Sequence, residues 1–334
     1  MKKRIFLCIL SIFLLAPQVC AEDEVLHWVE FNVDYPALQR ALDIDIASQG
    51  EEKPLDWIDI LALAAVKVGG NGITVKGVNE AAEQLRKDKS PQELLGAQYK
   101  YFAYYHRAYE AVLGGLVGSY AIAVTNKETG EQEWVPAYGL KAFSPIAAGY
   151  GYSHYSDFGN RRTYGFARRH LGNDLMGAAG TPIIAVESGT VEALGWNQYG
   201  GWRIGIRSFD HKRYYYYAHL RQNYPYAEGL EEGSIVTAGD VIGYMGHTGY
   251  STKENVNNIE TVHLHWGLQL IFDESQKESD NEIWIDCYEL TKFLYRNRSE
   301  VQKVGDTREW KRVYEMKDPA VEETLREKGQ KQTK

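Results

Sequence analysis

The sequence has 334 residues, of which 44% are hydrophobic, and its formal net charge at pH 7 is −8. This length suits two domains and supplies enough apolar side chains for a buried core. The negative charge disfavours a protein that binds nucleic acid through its phosphates, so no nucleic-acid partner is expected.

The N-terminus has the pattern of an export signal. Three basic residues at positions 2–4 precede an apolar run over residues 5–16, and small residues up to Ala21 offer a cleavage site. We therefore predict a signal peptide at residues 1–21 and export to the envelope or exterior of a bacterium. The run is shorter than the ~20 residues that a membrane helix needs, so no span is expected after cleavage; an uncleaved anchor is the alternative. Cys287 would then be the only cysteine, which excludes an intramolecular disulfide and a thiolate zinc cluster.

Residues 22–135 are predicted to form an α-helical N-terminal region. The apolar residues Trp57, Ile58 and Leu61 recur at helical spacing. The sequence Ser-Pro-Gln-Glu at positions 90–93 has the pattern of a capping box with proline at the first helical position. Nothing in this region has the spacing of a catalytic motif.

Residues 136–300 are predicted to be mainly β-structure, as an antiparallel sandwich-like or barrel-like domain. Short β-rich runs alternate there with glycine-rich turns, at residues 183–186, 190–194, 202–207, 214–218, 235–236, 241–244 and 262–271. The remaining residues, 301–334, are dense in charge and predict either a solvated helix or a disordered tail.

Histidines in the β-rich part offer candidate metal ligands. His263 and His265 are separated by one residue, so on a strand both side chains project to one face. His170 and Asp174 are separated by Gly172 and Asn173, among others, which favour a turn that could bring an imidazole and a carboxylate together. Three protein ligands leave a fourth position open for water, which is the arrangement of a catalytic zinc site. No H-E-x-x-H motif is present.

As an ordered set, these motifs resemble the lysostaphin/LytM-type family of peptidoglycan endopeptidases. The family's hallmarks are H-x-x-x-D, a later histidine before leucine and H-x-H, which here are residues 170–174, 219–220 and 263–265. Further similar segments are FGNRR at 158–162, GTPIIA at 180–185, GTV at 189–191, GHTGYS at 246–251 and WID at 284–286. The resemblance covers about residues 145–294 and implies a lysostaphin-type peptidase domain with the duplicated hybrid motif fold.

The resemblance implies a zinc endopeptidase that hydrolyses peptide cross-links of bacterial peptidoglycan through a metal-activated water. Its partners would be the stem or cross-bridge peptides. One Zn²⁺ per chain would be held by His170, Asp174 and His265, while His219 and His263 would be catalytic. Which of these two histidines accepts the water's proton, and which steadies the oxyanion, stays open, as do the scissile bond and the oligomeric state.

One departure from the family pattern is a polar insertion at residues 252–262, between the glycine-rich turn and His263. We predict a longer loop that rims the cleft, with His247 as a turn or rim residue. The role of the helical region also stays open: it could hold the peptidase in place, block its cleft or bind a partner.

Three alternative functions would each need a feature of the sequence that can be checked. A catalytically silent scaffold or activator of another wall hydrolase should have lost metal ligands, whereas all five key positions are filled. A lipoyl- or biotinyl-like carrier needs a lysine at an exposed hairpin tip, which is not found. A secreted toxin would use the same chemistry as a resident envelope enzyme, and the lack of a recognisable wall-binding repeat favours the resident enzyme.

Overall fold

The computed structural model describes residues 29–87, 89–126, 128–164, 166–277 and 279–332. The predicted signal peptide at residues 1–21 lies outside this part of the chain. None of the helices in the described segments has the length and apolar character that crossing a lipid bilayer requires.

The first part of the described chain is helical, as predicted. Its five helices are α1 Tyr35–Ser48, α2 Trp57–Val68, α3 Val75–Leu85, α4 Pro91–Leu95 and α5 Tyr99–Leu113. The predicted capping box is present at α4, where the Ser90 side chain accepts from the Glu93 backbone and the Glu93 side chain accepts from the Ser90 backbone. Helix α2 is apolar on nearly every side and is buried among its neighbours, which makes it the centre of this region.

The helical region ends earlier than its predicted boundary at residue 135. A β-hairpin follows α5, formed by β1 Val117–Thr125 and β2 Gln132–Leu140. The structure has strands where the predicted limit placed helix, because the helical periodicity ends at Leu113 and Gly114-Gly115 mark a change of element. Alternating residues such as Tyr120, Ile122 and Val124 suit a strand, and the Thr129-Gly130 pair suits a turn.

The second part of the chain is built on antiparallel sheets, which confirms the predicted fold class. Its strands are β3 Ser153–His154, β4 Arg161–Tyr164, β5 Phe166–Arg169, β6 Asn173–Met176, β7 Pro182–Ile184, β8 Gly189–Asn197, β9 Gly201–Ser208, β10 Arg213–Ala218, β11 Ile235–Val236, β12 Val241–Tyr244, β13 His263–Leu270 and β14 Ile283–Ile285. The largest sheet has the order β11-β8-β9-β10-β13-β6-β3, with β14 also paired to β13. Strands β4 and β5 form a separate hairpin beside it.

The two faces of this sheet have different chemistry because side chains alternate along each strand. On β13, Leu264, Trp266 and Leu268 are fully buried in the core. His263 and His265 alternate with them and therefore face the opposite side. This opposite face is the floor of a cleft.

A buried ion pair links the helical region to the sheet. Arg213 at the start of β10 is 2% exposed, and its guanidinium donates to Glu187 at 2.8 and 3.1 Å and to the Ala111 carbonyl at 3.0 Å. Residues of both regions belong to one continuous hydrophobic core. The helices are therefore packed against the β-domain at the end of α5.

The C-terminal segment, predicted to be a solvated helix or a disordered tail, contains three strands and one helix. After α6 Tyr288–Leu294 come β15 Val301–Lys303, β16 Trp310–Arg312, β17 Met316–Lys317 and α7 Pro319–Gln332. Only α7 matches the predicted solvated helix. The prediction was wrong for residues 301–317, where β17 adds to the edge of β1 and buried Asp318 accepts from Lys141 at 2.9 Å. The high density of charge concealed these pairings, because several of the charged groups have partners far away in the sequence.

Candidate active site

The cleft above the sheet is a cavity of about 920 Å³. All its lining residues lie between Tyr155 and Trp284 in the sequence. The described residues of the helical region do not line it, so this part of the chain does not block the cleft. All five predicted site residues line the cavity: His170, Asp174, His219, His263 and His265.

His170, Asp174 and His265 converge on one point of the cleft. Asp174 on β6 is directly paired with His265 on β13, and His170 lies just after β5. The Oδ1 atom of Asp174 is 2.9 Å from His170 Nε2 and 2.9 Å from His265 Nδ1, and the two nitrogens are 3.1 Å apart. The β6–β13 register thus brings together two ligands that are 91 residues apart in the sequence.

This group of atoms fits a tetrahedral metal ion. Ligands bound to zinc at about 2.0–2.1 Å in a tetrahedron are about 3.3 Å from one another, close to the separations seen here. Two imidazole nitrogens and one carboxylate oxygen are also a donor set that zinc accepts. Among the described residues, these three side chains form a group that could hold a metal ion, because their donor atoms all lie within 4.8 Å of one another.

The charge state of Asp174 suits this role. Burial would raise the pKa of Asp174, but hydrogen bonds from His170 and His265 outweigh it and hold the pKa well below its ordinary range. The carboxylate is therefore ionised at neutral pH, as a metal ligand must be.

Two further residues orient the ligands. Asp157 Oδ1 lies 3.1 Å from His170 Nδ1 and can accept a hydrogen bond from it, which orients the ring so that Nε2 faces the cluster. Arg162 Nη2 donates to Asp174 Oδ2 at 3.0 Å, which leaves Oδ1 for the cluster. Sequence reasoning missed both roles. The available signal was the FGNRR segment, which contains Arg162 and begins next to Asp157.

His219 and His263 lie side by side next to the cluster, with ring centroids 4.7 Å apart. Their Nδ1 atoms are 3.0 Å from the Thr248 carbonyl and 2.8 Å from the Thr261 carbonyl. A carbonyl only accepts, so both Nδ1 atoms carry the proton and both Nε2 atoms have a free lone pair in the neutral ring. Burial, followed by neighbouring imidazoles, lowers the pKa of His219 well below its ordinary value, and burial also lowers the pKa of His263. Both rings are therefore neutral and able to accept a proton.

The backbone at His219 contributes to this arrangement. His219 follows β10 with φ of +63°, in the left-handed region that is uncommon for residues other than glycine. Its amide donates to the Gly200 carbonyl at 2.7 Å and its own carbonyl accepts from Gly246. These bonds hold the turn that directs the imidazole back over the sheet.

The insertion at residues 252–262 forms one wall of the cleft. Asn258, Ile259, Glu260 and Thr261 line the cavity. His247 stands beside this wall and its Nδ1 donates to the Ile259 carbonyl at 2.7 Å. This is the position of a rim residue that supports the insertion.

Asn255 fastens the insertion to the sheet domain. Its Oδ1 accepts from Trp202 Nε1 at 2.9 Å and from the Asn223 amide at 2.8 Å, while its Nδ2 donates to Asn223 Oδ1 at 2.6 Å. Its φ is +60°, which glycine adopts without strain.

We expect the substitution Asn255→Gly to loosen the insertion while leaving the fold intact. Three hydrogen bonds worth about 1 kcal/mol each are lost, so backbone amides of residues 252–262 should exchange with deuterium roughly 10–100-fold faster. Hydrogen exchange followed by mass spectrometry measures this. Lys253→Ala, at an exposed neighbour, should leave the rates unchanged. Unchanged exchange in Asn255→Gly would show that other contacts hold the wall.

A triad that could hold a metal ion, open to a cleft and with two neutral imidazoles beside it, suits a metal-dependent hydrolase. In agreement with this, the sequence model of Peptidase family M23 matches residues 168–286. This match of one segment confirms the resemblance of the chain to lysostaphin/LytM-type proteins.

Three known proteins illustrate the relationship. The L-Ala--D-Glu endopeptidase of Bacillus subtilis is 39% identical over 124 residues, which are 37% of this chain and 36% of that protein. Lysostaphin of Staphylococcus simulans is 36% identical over 89 residues, which are 26% of this chain and 17% of that protein. A LytM structure from Ruminococcus gnavus is 25% identical with a TM-score of 0.48, covering 81% of this chain and 90% of that one. The match to the Bacillus subtilis protein thus spans little more than a third of that protein's length.

Proposed function

We propose that this protein is a zinc-dependent endopeptidase that hydrolyses peptide bonds of bacterial peptidoglycan. The observation that carries the proposal is the convergence of His170, Asp174 and His265, with donor atoms 2.9–3.1 Å apart, on the floor of an open cleft. The similarity to the L-Ala--D-Glu endopeptidase of Bacillus subtilis supports the substrate class.

The three cluster residues would hold one zinc ion per chain. When bound, zinc supplies Lewis acidity: it polarises the scissile carbonyl and makes a water molecule acidic enough to lose a proton near neutral pH. Asp157 and Arg162 keep the ligands oriented through the bonds described above. The open side of the cluster faces the imidazoles of His219 and His263.

His219 and His263 would be the catalytic residues. The Nε2 atom of His263 lies 3.8 Å from Asp174 Oδ1, next to the cluster, so we assign to it the proton of the attacking water. The resulting imidazolium then donates this proton to the departing amine nitrogen as the peptide bond breaks. The ring of His219 is more deeply buried than that of His263, and its Nε2 is also free. His219 would therefore orient the water and the scissile carbonyl beside it.

We further propose that residues 1–21 are a signal peptide and that the enzyme acts in the cell envelope or outside the cell. The helical region, packed on the far end of β10 through Arg213, would hold the peptidase domain without covering its cleft.

Metal removal tests the proposal. Purified muropeptides are incubated with the zinc-loaded protein, with protein treated with a chelator, and with treated protein after zinc is restored. We expect new peptide fragments with the first, none with the second and recovery with the third, because three ligands alone cannot activate water. Mass spectrometry of the products also identifies the bond. If the protein binds zinc but none of the three samples yields a product, the alternative is favoured. That alternative is a catalytically silent scaffold or activator of another wall hydrolase.

A further inference from the structure

The positively charged side chains that line the cleft differ in whether they have a partner. Arg162 is paired with Asp157 and Asp174, and Lys277 donates to Glu192 at 2.6 Å. Arg168, Arg169 and Arg203 also line the cleft, but within the described segments none of them lies within ion-pair distance of a carboxylate. Arg169 is exposed to solvent, whereas Arg168 and Arg203 are partly buried. In a chain with a net charge of −8, two partly buried arginines without a carboxylate partner in one cleft call for a functional explanation.

Arg168 is held in a fixed position by two aromatic rings. It lies on β5, and the central carbon of its guanidinium is 4.9 Å from the ring centroid of Tyr250 and 5.5 Å from that of Tyr199. Its Nη2 donates to the Tyr250 hydroxyl at 2.5 Å. Contacts of this kind orient the planar guanidinium fork before any ligand arrives.

One donor of this guanidinium lacks an acceptor. Arg168 Nη1 is shielded from water and has no hydrogen-bond partner in the described parts of the chain. The same holds for Nε of Arg203, on the cleft face of β9. A buried N–H without an acceptor is costly, so a carboxylate that draws either guanidinium towards the open cleft would remove this cost.

Arg168 also lies close to the proposed chemistry. The ring of Tyr250 is 6.0 Å from the ring of His219, so a single aromatic side chain separates the guanidinium from a catalytic imidazole. A peptide whose scissile bond lies at His219 and His263 would therefore place a neighbouring residue next to Arg168.

We propose that Arg168 determines specificity by binding a carboxylate of the substrate peptide, so that the enzyme acts on acidic stem peptides and not on neutral glycine bridges. This inference rests on the proposed function. A guanidinium binds a carboxylate through two parallel N–H···O bonds, which match in geometry and charge. Arg203, on the floor of the same cleft, adds positive potential for the same anionic chain.

The test uses stem peptides that contain γ-linked D-Glu and a diamino acid, together with versions in which each free carboxylate is amidated in turn. Amidation removes the charge with little change of shape. For the zinc-loaded wild type, we expect amidation of one carboxylate to lower kcat/KM by roughly 10–100-fold, the effect of a charge-assisted bidentate pair. Arg168→Gln should lower kcat/KM on the acidic peptide by a similar factor and should no longer distinguish it from the amidated one.

Arg161→Gln is the matched control, because Arg161 carries the same charge on the same hairpin but is exposed and does not line the cleft. It should keep the wild-type preference. An Arg168→Gln variant that still prefers the acidic peptide, or a wild type that cleaves pentaglycine faster, would overturn this inference alone. If the wild type cleaves no peptide of either kind, the proposed function itself fails, and the inference with it.

Discussion

His265→Ala should lose both bound zinc and all measurable peptidase activity. His265 supplies one of three protein donors, and its Nδ1 lies 2.9 Å from Asp174 Oδ1. Loss of a hydrogen-bonding partner of a ligand lowers metal affinity by about 10–100-fold, and loss of the ligand itself should cost more. Zinc content after dialysis, measured by elemental mass spectrometry, checks the first effect, and muropeptide release checks the second.

His106→Ala provides the control for this substitution. His106 lies in α5, where it pairs with Asp59 at 3.4 Å, and it does not line the cleft. This variant should bind one zinc ion per chain and retain wild-type activity. Full zinc occupancy and wild-type rates in His265→Ala would contradict the ligand assignment.

His263→Ala should separate metal binding from catalysis. We expect this variant to keep its zinc and to lose turnover by about 10²–10⁴-fold, the usual contribution of a positioned general acid–base group. The reason is geometric: His263 Nε2 is 3.8 Å from Asp174 Oδ1, whereas the three ligand atoms are 2.9–3.1 Å apart. The measurements are zinc content and initial rates on one muropeptide.

The comparison with His265→Ala makes this second experiment specific. Both substitutions truncate an imidazole on the same face of β13, so a general loosening of the strand would affect them equally. If His263→Ala released zinc as readily as His265→Ala, His263 would be a ligand. If it turned over at the wild-type rate, it would have no part in proton transfer.

The sequence predicted the site residues best where a short motif lies on one strand or turn. His263 and His265 were predicted to face one side because they alternate on a strand, and β13 confirms that strand. His170 and Asp174 are four residues apart, and the turn predicted between them allows both to reach the same point. Local spacing therefore carried most of the information about which side chains could meet.

The parts that sequence reasoning missed depend on contacts between distant residues. Asp157 becomes important only through its bond to His170, and Asp318 only through Lys141, which is 177 residues away. Neither pairing produces a local pattern. The same reason explains why the strands of the C-terminal segment were not predicted. The hairpin of β1 and β2 is different, because its strands and turn do have a local pattern.

The central claim is that one zinc ion is bound by three particular side chains in the cleft. Anomalous X-ray scattering at the zinc edge, from crystals of the zinc-loaded protein, tests it most directly. We predict a single peak per chain within bonding distance of His170 Nε2, Asp174 Oδ1 and His265 Nδ1. A peak at any other group of residues, or no peak in the cleft at full zinc loading, would contradict the account.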